Sequence, residues 1–65
     1  MQIDILSWPQ QKLLATIELD CVPATNDFIY INGKVHQVMY RRFDVDTTSY
    51  PDKVVAYKVL VKEPR

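Results

Sequence analysis

Apolar residues recur at every second position in several stretches of this chain, and polar or proline-bearing segments separate them. Period two is the signature of a strand that turns one face to a core. In the first stretch, Ile3 and Ile5 alternate with Gln2 and Asp4. Residues 7–11, with Trp8-Pro9 among them, read as a turn. Across residues 12–19, Leu13, Ala15, Ile17 and Leu19 share one face, while Lys12, Thr16 and Glu18 take the other with Leu14. A helix over residues 9–20 is the rival reading, since Leu, Ala, Lys and Gln form helices well. The alternation favours a strand.

Residues 20–27 read as a loop containing Pro23, Thr25 and Asn26. The strongest local signal follows it. Asn32-Gly33 separates two β-rich runs, and this dipeptide suits the type I′ hairpin turn because both central residues need positive φ. A two-residue turn sets Ile31 opposite Lys34, Tyr30 opposite Val35 and Ile29 opposite His36. One face then carries Ile29, Ile31, His36, Val38 and Tyr40, and the other carries Phe28, Tyr30, Val35, Gln37 and Met39. Both faces are substantially apolar. Residues 44–53 read as a long exposed hairpin loop. The last strand, residues 54–62, sets Val55, Tyr57, Val59 and Val61 against Val54, Ala56, Lys58, Leu60 and Lys62.

These elements predict one all-β domain spanning residues 1–65. The expected architecture is a small five-stranded barrel of the Src-homology-3-like kind or a strongly bent antiparallel sheet. An open sheet completed by a second copy is the main alternative.

Size sharpens this picture. A chain of 65 residues buries only about 60% of the surface its unfolded form exposes. Cys21 is the only cysteine, so no disulfide forms within the chain, and with His36 it is the only good zinc ligand where a closed site needs four. No cofactor or metal is expected. The hydrophobic fraction of 48% supports a real core. Charge counts against nucleic acid: eight basic residues balance eight acidic ones, whereas duplex binders carry a basic excess. Near-zero net charge also removes the repulsion that keeps copies apart. The N-terminal stretch lacks the pattern of a signal peptide, and the lone cysteine fits a reducing compartment. A cytoplasmic location is the expectation, with no membrane association.

Candidate chemistry is sparse. Cys21 and His36 are the only possible nucleophile and base, and nothing places them together. Neither is read as catalytic. Asp44-x-Asp46-x-Thr48 has alternate oxygen ligands but lacks the glycine and glutamate of a helix-flanked calcium loop, so it reads as solvated loop. Tyr40-Arg41-Arg42-Phe43 is the one basic–aromatic cluster. Arginine and tyrosine are enriched where proteins bind proteins, and both also serve nucleic acid. The bland reading puts Tyr40 and Phe43 in the core and pairs the arginines with Asp44, Asp46 or Glu18. Trp8 reads as a cap on an open barrel end, or, with Tyr50-Pro51, as an aromatic ledge for extended peptides. Lys58, Lys62 and Pro64 read as guards of an edge strand. The hairpin of residues 28–40 has only Lys34, so Phe28, Tyr30, Val35 and Met39 are the candidate self-association surface.

Pro23, Asp27, Ile29, Ile31, Asn32-Gly33-Lys34, Val38, Arg42-Phe43 and the Val-rich last strand together resemble a pattern in small bacterial and phage proteins. There a proline and an aspartate precede a hairpin of the form I-x-I-x-G-K-x-x-x-V. The resemblance covers roughly residues 22–62 and implies a Src-homology-3-like barrel and a bacterial or phage setting, with no catalytic residues. Asn26 stands where glycine is usual, and His36 where an aromatic is common.

The chain therefore reads as a non-enzymatic protein–protein interaction module and a homodimer. A phage or mobile-element inhibitor of a host protein is one concrete form. A nucleic-acid-binding barrel using Tyr40, Arg41 and Arg42 is one alternative, and a nucleotide binder across a dimer interface is another.

Overall fold

A computed structural model describes residues 1–48 and 50–63. Among the described residues there are five strands and no helix: β1 (Gln2–Ser7), β2 (Leu13–Glu18), β3 (Phe28–Ile31), β4 (Lys34–Asp46) and β5 (Lys53–Lys62). They form one strongly curled sheet in the order β2-β1-β5-β4-β3, a half-barrel. No helix among the described residues is long and apolar enough to cross a membrane. The expected strand over residues 12–19 is β2, and its helical rival is absent.

The sheet is mixed rather than wholly antiparallel. β1 runs parallel to β5, with Ile3 beside Tyr57 and Ile5 beside Val59, while the other three pairings are antiparallel. β5 is therefore central. Lys58 and Lys62 do not guard an edge, and Pro64 lies outside the described residues. The outermost strands are β2 and β3.

The concave face holds the core. Ile3, Ile5, Val38, Val59 and Val61 are buried there, with Ala15, Ile17, Val22, Ile29, Ile31 and Tyr57 packed against them. Alternation along each strand produces this arrangement. The β3–β4 hairpin has the expected register, Ile31 to Lys34 and Phe28 to Gln37. Its turn holds Asn32 at φ 53° and Gly33 at φ 81°.

Three further expectations fail, two of them at bulges. Between Val38 and Tyr40 the β4–β5 register shifts, so that Val38 faces Val61 and Tyr40 faces Leu60. The extra residue, Met39, turns Tyr40 onto the convex face instead of the Ile29 face. A second shift near Leu6 puts an extra residue, Leu14, into β2, so Leu13 leaves the face on which Ala15 and Ile17 pack on the core, and Leu19, past the end of the strand, is exposed as well. Finally, residues 44–46 belong to β4 and not to a loop. The connection to β5 is correspondingly shorter, and Ser49 within it lies outside the described residues.

Candidate functional site

The far half of the β4–β5 hairpin stands apart from the rest of the sheet. β3 pairs with β4 only as far as Gln37, and two further bonds, from the Asn26 N–H to the Val38 carbonyl and from the Val38 N–H to the Asp27 carbonyl, end that ladder. On the other side, the pairing of β1 with β5 begins at Tyr57. The ladder of β4 and β5 runs on from Arg41 opposite Val59 to Asp46 opposite Lys53, with β1 still beside β5 as far as Tyr57, and from Asp44 opposite Ala56 onward it is a two-stranded ribbon. The molecule is correspondingly long, 43 × 23 × 18 Å, with a radius of gyration of 12.6 Å against roughly 11 Å for a compact chain of this length.

The sequence dictates a strand here. Arg41, Phe43 and Val45 alternate with Arg42, Asp44 and Asp46, and opposite them β5 supplies β-branched valines. Phe43 packs edge-on against Tyr57, with ring centroids 5.9 Å apart. It is still 47% exposed, and Val45 and Val55 are more exposed still. Among the described residues the buried core reaches this part of the ladder only at Val59 and, on its margin, Tyr57, so Phe43, Val45 and Val55 stay largely at the surface.

On the opposite face, Arg42 grips Asp44. Its Nε donates to Asp44 Oδ1 at 2.9 Å and its Nη2 to Oδ2 at 3.4 Å. A third donor, Nη1, reaches Gln11 Oε1 at 3.2 Å, and Lys58 Nζ lies 3.6 Å from Asp44 Oδ2. The hydrogen bond from Arg42 and the charges of Arg42 and Lys58 hold the Asp44 carboxyl below its ordinary value, against a smaller opposing effect of desolvation. Asp46 accepts from the Thr48 N–H at 2.9 Å and from its hydroxyl at 2.6 Å. Both carboxylates of the calcium-like spacing are thus committed to protein donors. No group of three or more metal-ligating side chains occurs among the described residues.

Tyr40, Arg41, Arg42 and Phe43 are all exposed, so neither aromatic belongs to the core. Trp8 meets Tyr40 edge-on at 5.3 Å and 74°. It does not meet Tyr50, which is fully exposed beyond the ribbon, ~20 Å further along the strand direction at ~3.3 Å per residue. The aromatic ledge of Trp8 and Tyr50 is therefore not formed. Phe28, Tyr30 and Val35 share the convex face, with Phe28 and Tyr30 strongly exposed and Val35 and Met39 half-buried. Cys21 is exposed in a shallow groove of about 620 Å³ between β2 and β3. His36 is buried, with Nδ1 3.1 Å from the Lys34 carbonyl, and the two do not share a pocket. The residues missed by sequence reasoning are Asp44, Val45 and Asp46 as strand positions. The signal was present, because Phe43 and Val45 continue the period-two pattern. Comparison with known proteins finds no matching family model, no matching curated protein and no matching solved structure.

Proposed function

We propose that this chain is a protein–protein interaction module that binds through the outer edge of β4. One observation carries the reading: among the described residues, no strand lies on the side of β4 away from β5 from Tyr40 to Asp46, and this stretch displays Phe43 and Val45 to solvent. Unpaired strands of this kind template pairing with another chain, and natural edges are blunted by charged side chains, lysine above all, by proline or by bulges. This stretch of β4 has no lysine and no proline, and of its four charged residues Arg42 and Asp44 are turned to each other. Its bulge, at Met39, lies before the open segment. The far end of the lane, residues 44–46 with 53–56, is a two-stranded ribbon and marginal on its own in water, so a partner strand along β4 would both complete its hydrogen bonding and cover its apolar side.

The double variant Phe43→Lys, Val45→Lys tests this reading. It retains an extended backbone but installs the charges that guard natural edges. Wild-type chain is expected to associate, with itself or with a protein from its own cell, and the double variant is expected to lose that association. A double variant that associates as wild type overturns the reading.

A further inference from the structure

The open stretch of β4 has a definite length and a definite centre. At one end it is bounded by Asn26 and Asp27, which hold Val38. At the other, β4 ends at Asp46. The lane between, Tyr40–Asp46, is seven residues long, and its middle residue is Phe43. The second bulge in the ladder places its extra residue, Val55, on β5, so alternation in β4 runs unbroken across the lane.

The innermost charges of this lane are antisymmetric about that centre. Arg42 precedes Phe43 and Asp44 follows it. In an antiparallel pair, residues directly opposite each other lie on the same face with their Cβ atoms ~5 Å apart. If a second copy enters antiparallel with Phe43 opposite Phe43, Arg42 of each chain stands opposite Asp44 of the other. Arg41, which has no ion pair among the described residues, stands opposite Val45. The two Phe43 rings meet at the axis on the face that also carries Tyr57. The incoming strand ends at its own Asp46 opposite Tyr40, just short of the Asn26–Asp27 boundary. Lane length, apolar centre and charge order are thus all consistent with the same twofold arrangement. Such an interface is isologous, each patch meeting its own copy.

Resting on the interaction-module reading, we infer that the partner of the β4 edge is a second copy of this chain, joined antiparallel about Phe43 with Arg42 and Asp44 paired across the interface. The sheet then runs continuously through both copies. The interface lies along β4 rather than over Phe28, Tyr30, Val35 and Met39.

Charge reversal tests this register. Arg42→Asp puts two acidic side chains opposite each other at both ends of the pair, and Asp44→Arg puts two basic ones there. Each variant alone is expected to be a monomer by light scattering, at a concentration where wild type is a dimer. Mixed in equal amounts, the two variants become complementary at both positions, and a heterodimer of wild-type mass is expected. Both variants lack the intrachain Arg42–Asp44 pair, so recovery on mixing cannot come from it. A second measurement covers loss of folding: Phe43→Cys in a Cys21→Ser background should form a disulfide-linked dimer with oxidised glutathione. Single variants that stay dimeric, or a mixture that stays monomeric while wild type is a dimer and no cross-link forms, overturn the inference and leave the interaction module standing. A wild type that is monomeric at millimolar concentration overturns the inference too, and turns the module towards a different protein.

Discussion

The Trp8 ring stands edge-on to Tyr40, 5.3 Å between centroids, joining the β1–β2 turn to the start of the open lane in β4. Tyr40 faces Leu60 across the ladder, and Leu60 in turn neighbours Leu6; both leucines are buried on the convex side. This makes a second, smaller apolar cluster behind the main core. Such a ring pair contributes about 0.5–1.5 kcal/mol beyond its buried area. Tyr40→Ala should therefore destabilise the fold by at least that amount in urea unfolding. It should also move Trp8 emission to longer wavelength, as the only tryptophan gains water. Unchanged emission would mean that the pair does not persist in solution.

The main core has little redundancy. Ile5 is fully buried at the meeting of β1 with β2 and β5. Ile→Ala at such a site costs about 2–5 kcal/mol, while a domain of this size holds only about 3–10 kcal/mol in total. Ile5→Ala is expected to leave a large unfolded population at room temperature, seen as weak protection in amide exchange. Leu13→Ala, at an exposed position of β2, should be nearly neutral. Comparable effects at the two positions would contradict the placement of the core.

Local chemistry made the hairpin readable from the sequence. Asn32-Gly33 leaves one turn type, and that turn fixes the opposite partners without reference to the rest of the chain. Asn26 is similar. It sits at φ 75° beside Asp27, whose carboxylate accepts from the Ala24 N–H at 2.8 Å, so glycine would suit the position and asparagine is the side chain that best tolerates it. Sheet order was not readable, because β1 finds β5 across the whole length of the chain and nothing local encodes that parallel pairing. The bulge at Met39 was hidden too. It moved Tyr40 to the other face although the residue pattern ran on. The Tyr40–Phe43 segment stood out by its residue types. That it borders an empty lane is a property of topology, visible only once the pairing of β3 with β4 is seen to stop at Gln37.

Gly33 separates backbone effects from packing effects. At φ 81° it adopts a conformation that L-residues disfavour, yet a Cβ added there meets no atom within 4 Å. Gly33→Ala thus carries a conformational cost alone, about 1 kcal/mol. Chemical denaturation should show this loss with an unchanged slope, since the surface exposed on unfolding is unaltered. A loss several times larger would indicate that the turn makes contacts beyond its backbone.

Asp44 gives the fold an acid-sensitive contact of predictable sign. Its folded-state pKa lies below the ordinary 3.8, first because Arg42 hydrogen-bonds the carboxylate and then through the charges of Arg42 and Lys58. A depressed carboxyl stabilises the folded form above its ordinary value, and that stabilisation is lost as pH falls through the lower, folded-state value. The window is therefore below 3.8, and near-neutral changes in pH should leave the contact intact. Arg42→Ala removes the largest cause while Lys58 remains, so the carboxyl should titrate at higher pH than in wild type. Carbon-detected NMR of the Asp44 carboxyl reads both values directly. If Asp44 titrates at the same pH with and without Arg42, the two side chains are not paired in solution, and the charge order that selects Phe43 as the centre of a dimer loses one of its supports.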